Sequence, residues 1–148
     1  MKRIITLTLT LAVMALLVSG AEKEITLFDS DGDAAAYLAI EDKDTAIYLW
    51  SGEPVAYLGK PDRDGYSIYG FNGKHLGWYD KGVVRDHDGY VVGFAKGAIE
   101  KITKIEPIKG IKKFAPFKAF EEFAPFRPFD QNRFSQETLS LFLRRGRS

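Results

Sequence analysis

The sequence predicts an all-β protein of four short β-hairpin repeats around a pseudo-fourfold axis, followed by a Pro/Phe-rich extended strap and a short C-terminal helix. Three observations predict it. Glycine-containing turn dipeptides recur four times between Ile25 and Ile99, apolar residues hold fixed offsets from those glycines, and the texture changes at Lys112, where Phe and Pro take over.

The turn dipeptides are Asp31-Gly32, Ser51-Gly52, Asn72-Gly73 and Asp88-Gly89. Pairs of this kind fit two-residue type I′ turns, whose central residues both need φ > 0. Aligning the glycines aligns other columns. Leu27, Ile47, Ile68 and Val84 precede them by five positions, and Ala36, Ala56, Gly77 and Gly93 follow by four. The next column is aromatic: Tyr37, Tyr57, Trp78 and Phe94. In a two-residue hairpin each large aliphatic then faces a small residue, so something from outside the hairpin approaches closely there. The opposite face collects Tyr48, Trp50, Val55 and Tyr57 in the second hairpin, and Tyr69, Phe71, Leu76 and Trp78 in the third. Strands apolar on both faces are buried on both sides. A single hairpin is marginal in water, whereas four can share a core by closing around an axis, which also removes open edges.

The segments Ile47 to Leu58 (IYLWSGEPVAYL), Ile68 to Tyr79 (IYGFNGKHLGWY) and Arg85 to Phe94 (RDHDGYVVGF) resemble the bacterial 4-fold β-flower proteins. The resemblance covers residues 24–100, about half the chain, and implies four short β units around a pseudo-fourfold axis. It transfers no catalytic or binding residue.

From Glu100 to Ile111 Lys alternates with Ile, which suits a short final strand or a solvated connector. Phe114-Ala-Pro-Phe117 then recurs as Phe123-Ala-Pro-Phe126, followed by Arg127-Pro-Phe129. Prolines at 116, 125 and 128 argue against helix or central strand, and the phenylalanines against a free linker. The expectation is an extended strap whose rings dock on the β body rather than on a partner, since solitary domains seldom leave so much apolar surface bare. Ser135 is expected to cap a helix whose apolar face is Leu139, Phe142 and Leu143, with Phe134 and Leu139 as a hydrophobic staple and Gly146 at the end.

At the N-terminus, Lys2 and Arg3 precede an apolar run from Ile4 to Val18, then Ser19, Gly20 and Ala21. These are the parts of a secretory signal peptide cleaved after Ala21. The run is about 15 residues, short of the roughly 20 that span a bilayer. The chain therefore divides into a signal peptide (1–21), a four-hairpin β domain (22–100), a connector (101–134) and a helix with tail (135–148). The expected location is periplasmic or secreted, with no membrane span in the mature chain.

A formal net charge of +1 gives no positive field to concentrate nucleic acid. The absence of cysteine removes disulfides, thiol catalysis and cysteine-ligated metal. Asp-x-Asp-Gly occurs at Asp29, Asp62 and Asp86, but glycine falls at the fourth position rather than the sixth and no twelfth-position Glu follows, so a calcium loop does not fit and a tight turn does. The two histidines, His75 and His87, fall short of the three ligands of a catalytic zinc, and no serine-hydrolase elbow is present. No catalytic residue, metal site or cofactor is assigned. The fourth hairpin breaks the apolar pattern: Arg85 stands where Phe or Tyr does elsewhere, and His87 stands in the column of Trp50 and Phe71. Such a break marks either a functional site or the exposed end of a repeat. Arg85, Asp86 and His87, with His75 and Trp50, are the candidate binding residues.

The expected function is a non-enzymatic binding or structural module of the cell envelope, contacting another protein. Two alternatives stand beside it. A glycan or cell-wall binding module would use exposed aromatics such as Trp50 or Trp78. A hydrolase would gather His87, Asp86 and a nucleophile such as Ser67 in a pocket. A buried tail helix would leave the protein-binding reading less surface. A four-unit ring is complete within one chain, which points to a monomer.

Overall fold

The computed structural model describes residues 23–63 and 65–148. The signal peptide expected over 1–21 and Asp64 of the second Asp-x-Asp-Gly lie outside the described residues. Eight strands follow one another: β1 (Lys23–Phe28), β2 (Ala34–Ile40), β3 (Thr45–Leu49), β4 (Pro54–Asp62), β5 (Gly65–Gly70), β6 (His75–Asp80), β7 (Val83–Arg85) and β8 (Val91–Ala95). Each pairs antiparallel with the next, and β8 returns to β1 through Leu27–Ala95 and Phe28–Phe94, closing a barrel. One helix, α1 (Leu139–Arg144), follows.

The aligned columns pair as the sequence arithmetic requires: Leu27 with Ala36, Ile47 with Ala56, Ile68 with Gly77, and Val84 with Gly93. The turns that deliver this register differ from the expected type. Gly32, Gly52, Gly73 and Gly89 have φ between +79° and +94°, while none of the residues before them does. Each glycine N–H donates to the carbonyl three residues back (Asp29, Leu49, Gly70 and Asp86), at 2.8–3.1 Å. Each tip is thus a three-residue loop ending in a glycine bulge, not a two-residue type I′ turn. A second shift in each hairpin restores the register, between Leu27 and Phe28, Ile47 and Tyr48, Ile68 and Tyr69, and Val84 and Arg85. The extra residue on the return strand turns inward. Val55 and Leu76, expected on the aromatic face, therefore join Leu27, Ile47, Ile68 and Val84 in the inner core.

The helix fills the barrel. Leu139, Phe142 and Leu143 have no exposed surface and belong to that same core. The small column makes room for them: a Cβ on Gly93 would lie 2.7 Å from Leu139 Cδ2, and one on Gly77 would lie 3.0 Å from Phe142 Cζ and 2.0 Å from the Arg85 carbonyl oxygen. Both the helix and the neighbouring strand make the close approach inferred from the sequence. The helix starts later than expected. The Ser135 N–H is still donating to the Val91 carbonyl at 2.8 Å, which holds the backbone extended beside β8, so Thr138 caps instead, accepting from Leu141 N–H at 3.3 Å. Phe134 packs edge-on against Phe94, with ring centroids 6.1 Å apart.

Between barrel and helix the chain runs without helix or strand from Lys101 to Arg133, as a strap passing the four hairpin tips in order. Lys104, Lys113, Glu122 and Gln131 donate their N–H groups to the carbonyls of Gly32, Gly52, Gly73 and Gly89 at 2.8–3.0 Å. The donors are nine residues apart, so one nine-residue length of strap serves each hairpin. Gly110 and Ala119 add bonds to the carbonyls of Trp50 and Phe71, both at 2.9 Å. A Cβ on Gly52 would sit 2.0 Å from the Ile111 carbonyl oxygen, so the tip glycines also let the strap come this close. The Lys/Ile stretch is therefore the strap's first half rather than a ninth strand.

Phe142→Ala empties the plug, and a stability loss of about 3–5 kcal/mol is expected in urea unfolding. Leu141→Ala on the outer face of the helix, where the side chain is 54% exposed, should change stability by no more than about 0.5 kcal/mol. Equal stability of the two variants would show that the helix is no part of the barrel core.

Candidate functional site

Beneath the strap, the outer wall of the barrel carries two aromatic groups, one around Tyr37 and Tyr48, the other around Tyr57, Tyr69 and Phe71. The strap's inward side chains cover them. Lys109 Nζ lies 4.3 Å from the Tyr37 ring centroid, Lys112 Nζ 5.1 Å from Tyr48 and Lys118 Nζ 4.3 Å from Tyr57. The Tyr57 hydroxyl donates to Glu121 at 2.7 Å and the Tyr69 hydroxyl to the Glu122 carbonyl at 2.9 Å. Burial, followed by the Glu121 hydrogen bond, raises the Tyr57 pKa. Ion pairs complete the fastening: Lys109 with Glu24, Lys118 with Asp44 at 3.0 Å, and Arg127 with Asp80 at 3.1 Å.

The residues singled out from the sequence divide among separate tasks. Trp50 is half-buried and donates its Nε1–H to the Pro107 carbonyl at 3.2 Å. Arg85 donates from Nη1 to the carbonyls of Gly89 and Gln131, at 2.8 and 2.9 Å. Pro128 stands nine residues after Ala119 and has no N–H for the fourth tip, and the Arg85 guanidinium supplies a clamp there. Asp86 accepts from the N–H groups of Asp88 and Tyr90, at 3.0 and 2.9 Å, which shapes its own turn. Asp29 does the same for Asp31 and Asp33 at 2.9 and 3.0 Å. The carboxylates of these three aspartates gather within 4.8 Å of one another, with Asp33 also paired to Lys104 at 3.1 Å.

The two histidines do meet. His75 Nδ1 lies 2.9 Å from His87 Nε2, and the rings stack at 5.2 Å. His75 Nε2 is 3.0 Å from Ser67 Oγ, and its backbone N–H donates to Glu122 at 2.7 Å. Buried at 3% exposure between Tyr69 and Trp78, His75 titrates at about 4; burial lowers it first, the neighbouring His87 second, and Glu122 opposes both. Ser67, His75 and His87 thus form a polar chain joining the third and fourth hairpins, while Asp86 is bonded to its own turn. A groove of about 890 Å³ between the strap and the 41–44 loop is lined by Ser67, Tyr57, Tyr69, Lys118 and Glu121, and not by His75, His87 or Asp86.

The largest unassigned surface is one the sequence reading missed. Ile102, Ile105, Ile108, Ile111 and then every third residue from Phe114 to Phe129 are 89–102% exposed. The phenylalanines do not dock on the barrel as expected. A three-residue period is that of polyproline II, which presents three rows of side chains. One row grips the aromatic wall, backbone N–H groups grip the tips, and the Ile/Phe row is left outside. The signal was present in the uninterrupted spacing of three from Ile99 to Phe129, with prolines at 107, 116 and 125. Reading the segment as Lys/Ile alternation followed by a Phe-Ala-Pro-Phe repeat divides that period at Lys112.

A closed antiparallel barrel filled by its own C-terminal helix and bound at its tips by its own strap defines the class: an all-β barrel with an outward apolar row. The chain belongs to the 4-fold beta flower protein family, whose model matches residues 25–143 and so takes in the strap and the helix as well as the hairpins. No curated protein and no solved structure matches the chain. Among the described residues no helix is long and apolar enough to cross a membrane.

The buried histidine predicts a pH profile. In the unfolded chain a histidine titrates near 6.5, so the unfolded state binds more protons between pH 6.5 and 4. Stability is complete above pH 6.5, falls by roughly 3 kcal/mol as pH drops towards 4, and levels off below. His75→Gln should flatten this interval in urea unfolding at stepped pH. A variant that keeps the wild-type slope would assign the acid sensitivity to another group.

Proposed function

We propose that the protein is a non-enzymatic binding module of the cell envelope, with four hairpins set around a pseudo-fourfold axis as the scaffold and the strap's Ile/Phe row as the working surface. The observation that carries this reading is the row itself. Ten Ile and Phe side chains stand 89–102% exposed in a single row, and with about 150–250 Å² offered by each aromatic side chain this is far more aligned apolar surface than a monomeric protein ordinarily leaves bare. The helix, whose burial leaves less surface for recruitment, is spent inside the barrel, but the row supplies far more than the helix could.

The other readings have less support. For glycan stacking, Trp50 is tied to Pro107 and the tyrosines lie under lysines of the strap. For hydrolysis, the Ser67–His75–His87 chain has Asp86 committed to its own turn, and the 890 Å³ groove that takes in Ser67 is not lined by either histidine. The signal-peptide pattern supports a location outside the cytoplasmic membrane, and the closure of the ring within one chain supports a monomer.

Replacing Phe117, Phe120 and Phe123 together by Ser leaves the hydrogen-bonded backbone of the strap intact. When the full chain is expressed in its own host and the cell envelope is fractionated, the triple variant should lose at least about tenfold of its envelope retention, at unchanged melting temperature. Retention equal to wild type would remove the row as the working surface.

A further inference from the structure

This inference rests on the reading above, that the Ile/Phe row is the working surface, and names what the row meets. We propose that the row inserts into the interfacial layer of a lipid bilayer and seats the barrel on a membrane through its hairpin-tip end.

The first argument is level. The four tips lie at one end of a closed meander, and the strap is held to all four alike. The carbonyl oxygens of Ile102, Ile111, Phe120 and Phe129 lie 2.0–2.5 Å from where a Cβ would stand on Gly32, Gly52, Gly73 and Gly89. Side chains hung on that strap share one level around the barrel. A bilayer surface is a partner whose chemistry is uniform across such a level.

The second argument is separation. At about 3.1 Å per residue, neighbours in the row stand roughly 9 Å apart, with two polar or small residues between them. Each projects singly, at 89–102% exposure, and no neighbouring side chain shields it. A protein partner would need a separate pocket for each one. The acyl boundary takes apolar side chains independently, wherever they enter, and binding grows with the apolar area buried.

The third argument is charge. Residues 22–98 carry 8 basic and 14 acidic side chains, whereas residues 99–148 carry 11 basic and 6 acidic. Part of this surplus holds the strap to the barrel. Arg147 is paired with Glu53, and the tips themselves carry Asp31, Asp33 and Asp88. Within the strap Lys101 and Lys113 stay exposed between the Ile and Phe side chains, and cations set among apolar side chains fit anionic headgroups over an acyl layer.

The test is flotation of the purified mature chain with protein-free vesicles of phosphatidylglycerol and phosphatidylcholine. Wild type should float with the vesicles, and F117S/F120S/F123S should lose at least tenfold of that binding. Phe123→Trp, with brominated acyl chains in the vesicles, should show quenching beyond that of Trp50 and Trp78 in wild type. Wild type that stays in the soluble fraction at every composition would overturn the proposal. If the triple variant nevertheless loses envelope retention, the working surface stands and its partner is a protein. A dimer of wild type in solution that the triple variant abolishes, with no flotation, would likewise overturn it in favour of a second copy of the chain.

Discussion

The interior of this barrel cannot be filled by its own strands. Four inward positions that face large aliphatics are occupied by Ala36, Ala56, Gly77 and Gly93, and the space they leave is taken by Leu139, Phe142 and Leu143. Everything beyond the barrel follows from that insertion. The helix must enter at the tip end, because Gly146 packs against Gly70 and its carbonyl accepts from Asn72 N–H at 3.3 Å. The segment joining β8 to the helix then has to travel around the tips to arrive there. Its length is set accordingly, one nine-residue unit for each hairpin.

The strap is held to the barrel along both of its other rows. Backbone N–H groups that would be solvated in a free polyproline II chain are bonded to tip carbonyls, and its cations rest on tyrosine rings at 4.3–5.1 Å. These contacts reach both families of tip residues that the sequence made conspicuous. Trp50 serves as a donor to the strap, and Arg85 serves where Pro128 cannot donate. The break in the fourth hairpin is therefore explained by the strap's own sequence: a proline at 128 is matched by a guanidinium at 85. His87, the second half of that break, is accounted for by His75, since the two rings join adjacent hairpins above Ser67.

The hairpins, their register and the apolar face of the helix were legible because each rests on a local rule of spacing. The pairing of Leu27 with Ala36 survives an incorrect turn type, since the glycine bulge and the second shift each add one residue and cancel. The same second shift is why Val55 and Leu76 were assigned to the wrong face: a bulge changes which side a residue faces and leaves no mark in composition. Ser135 reads as a cap from its neighbours, but its N–H belongs to β8, a contact more than forty residues away in sequence that no local pattern encodes. The exposed row follows no such local rule. Phenylalanine is read as core, and a period of three belongs to neither helix nor strand, so the repeat from Ile99 to Phe129 divides into two unrelated textures.

That an outward row exists is a consequence of geometry; that it is apolar is not. A three-row strap with two rows engaged must expose the third, and Lys, Ser or Glu there would satisfy every bond to the barrel equally well. Fold stability therefore places no demand on the identity of these side chains, because at 89–102% exposure they bury nothing within this chain. Their uniformity also runs against solubility, which favours charge on exposed positions. Ten of ten positions from Ile102 to Phe129 are nonetheless Ile or Phe, while the rows between them mix Lys, Arg, Glu, Thr, Ala, Pro and Gly. A constraint that the folded chain does not impose, applied at every third residue and at no other, is what the proposed contact of the row with something outside the chain would account for.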